Sequence, residues 1–371
     1  MKLGNNQQAF FALVRAGLWE MEVKLSQFEQ IDFNQVYCLA EEQSVVGLVA
    51  AGIEHVVDVK IPQQVALSFA GITLQLEQRN EAMNDYVANL IELLKQGEID
   101  AILVKGQGIA LCYERPLWRA SGDIDLLLSE DNYRKAKKLL LPQAKDIEQE
   151  YSTFKHLGMT MKGGFVVELH GALYTRLSKR IDKGISILQD DVFCNGYVRS
   201  WMNGNTQVFL PGVDNDVVFV FTHILHHYYV EGIGLRQICD WCRLLWTYRD
   251  KLDKEALSFR LEAMGLVSEW KAFAALAVDW LGMPAEAMPL YYDDKKWSRK
   301  ARSIIEFVME CGNFGHNRQR VLPNSFLGGK IVSVWRKLKD FTNHARVFPL
   351  DSVKFFFHFL GDGIQLASEQ R

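Results

Sequence analysis

The sequence predicts an α+β protein, a small mixed β-sheet in the middle of the chain flanked by N- and C-terminal helical regions. Three observations predict it. Residues 62–95 place Leu76, Met83, Tyr86, Val87, Leu90, Ile91 and Leu94 at spacings of three, four and seven, which is one face of a helix. The period changes at Gly97, after which 99–104 is short, apolar and β-branched, and 123–128 and 166–170 alternate or run apolar in the manner of strands. From residue 214 to the end the helical period returns. The expected units are therefore 1–97, a helical region, 98–212, an α+β core, and 213–371, a helical domain.

The composition fits that plan. A chain of 371 residues has room for two or three compact units. With 49% hydrophobic and 23% charged residues it is neither disordered nor a disulfide-stapled mini-domain. Lys and Arg number 42 against 45 Asp and Glu, a net charge of −3 that argues against a generally basic DNA-coating protein. Six cysteines in so long a chain make no disulfide framework. The first residues, MKLGNNQQAF, lack an apolar signal region, and no apolar run approaches the ~20 residues that span a bilayer. The expectation is a soluble protein of a reducing compartment, cytoplasmic and without a membrane span.

In order along the chain, 8–23 and 33–51 read as amphipathic helices, and Pro62 opens the long one, where its missing N–H costs nothing. The strand 99–104 ends in Lys105-Gly106-Gln107-Gly108, a glycine turn into a short helix that runs to Tyr113 and is followed by Pro116. A strand follows over 121–128 and a helix over 131–141. Residues 151–170 favour two strands joined by Lys162-Gly163-Gly164, and 192–210 carries weaker strand signals.

The chemistry centres on Gly122-Asp123-Ile124-Asp125-Leu126-Leu127-Leu128. A strand has a side-chain period of two, so Asp123 and Asp125 point to one face and Ile124 and Leu126 to the other. Adjacent carboxylates on a rigid strand repel unless they share cations, and hard oxygen ligands suit Mg²⁺ or Mn²⁺. A solvated strand end would show the same pattern. In Val166-Val167-Glu168-Leu169-His170, Glu168 and His170 share a face, so Glu168 becomes a third carboxylate of the cluster if this strand lies beside the first; otherwise it is an edge strand with a polar face. At Lys105-Gly106-Gln107-Gly108 the backbone N–H groups could cradle phosphate, with lysine adding charge, or the segment is a tight turn and no more. It fits neither a dinucleotide fingerprint nor a P-loop.

Together these residues resemble the polymerase-β-like nucleotidyltransferase superfamily, and more closely its bacterial branch of uncharacterised nucleotidyltransferase family proteins. The residues that carry the likeness are Lys105-Gly106, Tyr113, Pro116, Arg119, Gly122-Asp123-Ile124-Asp125-Leu126-Leu127 and Glu168-Leu169-His170, with His223, His226 or His227 and Leu235 to Asp240 downstream, over about residues 100–245. The resemblance implies a polymerase-β-like core and transfer of an NMP group from an NTP to a hydroxyl acceptor, with release of pyrophosphate. It implies two ions, Mg²⁺ or Mn²⁺, held by Asp123, Asp125 and Glu168, with Glu168 also a candidate base, and nucleotide contacts from Lys105, Gly106, Gln107, Arg119, Gly122 and His170. One departure stands out. The wider superfamily has Gly-Ser or Gly-Gly at the turn, where the serine touches the triphosphate; here Gln107 follows Gly106.

Other motifs carry competing readings. Cys239-Asp240-Trp241-Cys242 has CxxC spacing without a second ligand pair, on a predicted helix, and reads as packing rather than zinc. His223, His226 and His227 could bind a metal or reach phosphates, but with no adjacent glutamate the pattern reads first as packed or hydrogen-bonded histidines. Arg134, Lys135, Lys137 and Lys138 read as a solvated helix face. Residues 295–346 hold twelve Lys or Arg against three acids, a local +9 interleaved with Trp297, Phe307, Phe314, Phe326, Trp335 and Phe341, which suits RNA or else decorates a helical surface. The acceptor could be a small molecule, a glycan precursor, RNA or protein. The rivals are a catalytically silent interaction protein of the same fold, antitoxin-like or nucleotide-sensing, and an RNA-binding module.

Overall fold

The computed structural model describes residues 3–148, 150, 155–315, 317 and 326–358, with backbone alone over 326–336. In chain order the elements are α1 (Asn5–Trp19), α2 (Phe33–Glu42), α3 (Val46–Glu54), α4 (Gln63–Gln96), β1 (Ala101–Val104), α5 (Gly106–Ala110), β2 (Asp123–Leu128), α6 (Glu130–Leu140), β3 (Ala144–Ile147), β4 (His156–Met161) and β5 (Val166–His170). Then come α7 (Lys179–Cys194), β6 (Val198–Asn203), β7 (Thr206–Pro211), α8 (Val213–Val230), α9 (Leu235–Thr247), α10 (Lys254–Met264), α11 (Val267–Asp279), α12 (Lys295–Cys311) and α13 (Phe326–Val347).

The seven strands form one mixed sheet in the order β3-β4-β5-β2-β1-β7-β6. β2 runs antiparallel to β1 and parallel to β5, and β1 runs parallel to β7. Strand alternation sorts the sheet into two faces. Leu103, Ile124, Leu126, Leu128, Val167 and Leu169 pack under α4 and α6, against Met83, Val87, Leu90, Ile91 and Leu94 of the predicted helical stripe. On the opposite face Ile102, Val104 and Leu127 join the larger core built from α1, α3, α8, α9, α11 and α12. Asp123 and Asp125, in phase with Leu127, therefore look toward the helical bulk. Among the described residues no helix is long and apolar enough to cross a membrane.

Several elements differ from the periodicity reading. The helix expected over 33–51 breaks into α2 and α3 at Gln43–Val45, where Ser44 takes φ 55°. The cause is Gln43, fully buried, whose amide donates to Val308 O and accepts from Leu235 N, tying the break to two distant helices. The first helix ends at Trp19 rather than 23, and Val23 instead bridges to Val56. The sheet is larger than expected, because β3 adds an edge and 192–210 resolves into the end of α7 and the β6–β7 hairpin. α7 was not anticipated, although Ile181, Ile185, Leu188 and Val192 are a helical stripe and Ser178 caps it by accepting from Ile181 N. α1 and α3 cross so closely that the Cα positions of Gly17 and Gly52 face the Leu48 and Leu13 carbonyls with no room for a Cβ.

Candidate active site

The site forms where β1 ends and β2 begins, beside β5 and beneath α8 and α9. β2 and β5 pair in parallel with Asp125 opposite Glu168, so the third carboxylate does lie beside the first two. A cavity of about 550 Å³ opens at this point, and Asp123, Asp125, Glu168 and His170 line it together with Lys105, Gly106, Arg119 and Gly122. The cavity falls within the usual range for small-molecule sites, roughly 300–1,000 Å³.

The strand-to-helix turn that precedes the carboxylates is strained. Lys105 takes φ 58° and ψ −144°, a combination a lysine rarely adopts, and Gly106 follows at φ 41°. This geometry turns the ammonium back over the sheet, where Lys105 Nζ lies 2.7 Å from Asp125 Oδ1. His170 Nε2 contacts the same oxygen at 2.9 Å. Glu168 Oε2 is held between two imidazoles, 3.2 Å from His156 Nε2 and 3.5 Å from His170 Nε2. The Asp123 carboxylate makes no hydrogen bond or ion pair with another described residue, and it lines the cavity.

These contacts set the charges. Burial disfavours the Lys105 ammonium, but the Asp125 and Glu168 carboxylates outweigh it and raise its pKa. His170 behaves alike: burial opposes its charge, and bonds to Asp125 and Glu168 raise the pKa above its usual value. Glu168 is held well below the carboxylate range, because bonds from His156 and His170 and the charge of Lys105 overcome its desolvation. Asp123 goes the other way, raised by burial and then by the charges of Asp125 and Glu168. A carboxylate cluster with one member left uncompensated and open fits a divalent cation held by oxygen, such as Mg²⁺ or Mn²⁺.

Two expected nucleotide contacts are placed differently. Gln107 is buried and does not line the cavity; its Nε2 donates to Asn84 Oδ1 at 2.6 Å and its Oε1 accepts from Ser121 Oγ at 2.6 Å. Arg119 borders the cavity, but Nε and Nη2 donate to the two Asp240 oxygens at 2.7 Å each. Tyr113 OH donates to the same carboxylate at 2.7 Å. The Leu117 and Arg119 carbonyls accept from Asn80 Nδ2 of α4, which pins the loop leading into Asp123.

The far wall comes from α8 and α9. His223, His226 and His227 all line it, as does Asp240. His223 Nε2 is 3.1 Å from His227 Nε2, and His226 Nδ1 is 2.6 Å from Thr175 O. Burial, then the charge of Lys105, lowers the His223 pKa well below its usual value, and burial with His227 pushes His226 down to about 4. Several lining residues escaped the sequence reading, among them His156, Arg176, Glu231, Arg236 and Gln237. His156 could have been found, since it opens a strand that pairs with the one ending at His170. Arg236 and Gln237 carried no local signal.

The cysteine pair and part of the aromatic set are packed into the fold. Cys239 and Cys242 are buried free thiols whose pKa values burial raises. Phe307 is in the core, and Trp297 is covered by Lys271, Lys296 and Lys300, while Phe314, at φ 51°, borders the cavity. Within the basic stretch 295–346, residues 316, 318–325 and the side chains of Phe326 and Trp335 lie outside the described residues.

No curated protein and no solved structure matches the chain significantly. The profile of a family described as uncharacterised nucleotidyltransferase does match, over residues 29–282, a span that holds the whole sheet and every carboxylate of the site. With that profile covering more than half of its length, the chain belongs to the uncharacterised nucleotidyltransferase family.

Proposed function

We propose that the protein transfers a nucleoside monophosphate group from an NTP to a hydroxyl acceptor and releases pyrophosphate. The observation that carries this reading is the β2–β5 register, which ranges Asp123, Asp125 and Glu168 along one wall of a cavity of nucleotide size. In this reading residues 98–212 are a polymerase-β-like core with helical flanks at 1–97 and 213–371. Asp123, Asp125 and Glu168 would hold two divalent cations, Mg²⁺ or Mn²⁺, which when bound neutralise phosphate charge and lower the pKa of an acceptor hydroxyl.

The chain's own groups supply the rest. Lys105, preset by its strained backbone, places positive charge at the phosphates, and the N–H groups of the Gly106 turn and the Gly122 backbone approach them without side-chain hindrance. His170 orients Asp125 and Glu168 through its two contacts. Glu168 stays ionised across the physiological range, which suits a cation ligand better than a general base. The acceptor oxygen bonds to the α-phosphorus as the bond to the bridging oxygen breaks, and its proton passes to solvent. Positioning and charge neutralisation account for such transfers. The acceptor classes are a small molecule, a glycan precursor, RNA or protein, with RNA the one suited to the basic segment 295–346.

A second reading has one observation in its favour. Gln107, standing where the wider superfamily places a phosphate-touching serine, is turned inward and fully engaged with Asn84 and Ser121. That favours a catalytically silent, nucleotide-sensing protein. Incubation of the full chain with each α-labelled NTP, Mg²⁺ and cell extract separates the two. Transfer of label that is lost in Asp125→Ala and Glu168→Ala supports the enzyme. NTP binding with no label transferred, or transfer undiminished in both variants, overturns it.

A further inference from the structure

The geometry points to a binding site for one divalent transition-metal ion, ligated by His156, Glu168 and His170. It shares Glu168 with the nucleotidyl-transfer reading but needs no nucleotide, and its ligand chemistry differs, two imidazoles and one carboxylate in place of carboxylates alone.

The sheet builds this set by register. β4 and β5 are antiparallel with His156 directly opposite His170, and Glu168 lies two residues before His170 on the same face. All three side chains therefore project from paired strands into the cavity, a rigid platform of the kind that holds ligands to within a fraction of an ångström. The imidazole rings stand 4.8 Å apart, tilted at 42°. One ligand atom from each residue falls within 4.8 Å of the other two. His156 Nε2 and His170 Nε2 lie 3.2 and 3.5 Å from Glu168 Oε2, whereas bonds of about 2.1 Å in a tetrahedral site require ligand atoms about 3.4 Å apart. The three donors are thus spaced to close on one ion with little motion.

The neighbours support the same end. Asp125 Oδ1, 2.9 Å from His170 Nε2, stands as a fourth donor, an oxygen. Lys105 is paired with that aspartate at 2.7 Å, so its charge is offset. Imidazole with carboxylate suits Mn²⁺, Co²⁺ and Zn²⁺, while Mg²⁺ prefers oxygen and retains its waters. One of the two cation positions of this site is accordingly selective for a metal that accepts nitrogen.

The test uses the full-length chain, stripped with chelator and dialysed at pH 8 against Co²⁺ in the presence of excess Mg²⁺ and without nucleotide. Retention of one Co²⁺ per chain, with visible absorption and an X-ray absorption spectrum showing imidazole scattering, is the expected result. His156→Gln and His170→Gln should each weaken Co²⁺ binding at least about tenfold, with an unchanged melting temperature confirming that the variants fold. Displacement of Co²⁺ by equimolar Mg²⁺, absence of imidazole scattering, or undiminished affinity in His156→Gln would overturn the assignment. Asp123→Asn separates this site from the proposed reaction: it should keep the Co²⁺ while losing label transfer. Label transfer without the Co²⁺ site would sink only the metal assignment, and the Co²⁺ site without label transfer only the reaction.

Discussion

Arg119 and Asp240 meet head to head inside the protein, Nε to Oδ1 and Nη2 to Oδ2, each at 2.7 Å. The first belongs to the loop that feeds β2 and the second to α9, so a bidentate pair fastens the C-terminal helices to the strand that carries Asp123 and Asp125. An arginine expected to meet nucleotide thus acts first as a brace. Replacing one partner leaves the other charged, buried and unpaired, which costs about 3–5 kcal/mol. Asp240→Asn and Arg119→Met should each lower the urea midpoint accordingly, and Tyr113→Phe, which removes one bond to the same carboxylate, should cost about 1 kcal/mol.

Asp123 predicts a trade between stability and activity. Burial and the two neighbouring carboxylates raise its pKa, so its charged form works against folding whenever no cation is bound. Asp123→Asn should raise the melting temperature at pH 7 without added metal or nucleotide, while label transfer falls by several orders of magnitude. A melting temperature lower than wild type in metal-free buffer would contradict the electrostatic account.

The histidines of α8 predict acid sensitivity. His226 is held down at about 4 by burial and His227, against an ordinary value of 6.5. A base with a depressed folded pKa is protonated first in the unfolded chain, so stability is full above about 6.5 and declines as pH falls from there to about 4. Thermal melts from pH 7.5 to 4.5 should show this loss, and His226→Gln should flatten it.

Gly17 tests the helical flank. A Cβ there would strike the Leu48 carbonyl, and neither backbone can yield without separating α1 from α3. Gly17→Ala should cost about 3 kcal/mol, the upper end of the overpacking range, in urea denaturation. Gly71→Ala, with open space around it on the exposed face of α4, is the control and should not lower stability.

Much of the site was legible because strands encode their geometry locally. The alternation in 123–128 fixes Asp123 and Asp125 on one face whatever surrounds them, and the alternation in 166–170 does the same for Glu168 and His170. The apolar stripe of α4 was equally plain, since one buried face leaves a periodic record. The break at Gln43–Val45 was hidden because the buried Gln43 amide bonds Val308 and Leu235, 265 and 192 residues away. The bonds of Gln107 to Asn84 and of Arg119 to Asp240 were hidden for the same reason, since those partners come from other elements.

By itself, then, the sequence determined most of the elements, their buried faces and a set of carboxylates fit for cations, because those follow from short-range period and residue chemistry. Only the tertiary structure decided which strands are neighbours. That choice puts Glu168 beside Asp125, sets His156 opposite His170 and brings Asp240 to Arg119. Pairing and register are settled by which hydrophobic faces the packed core can bury together, a long-range balance that no local pattern records.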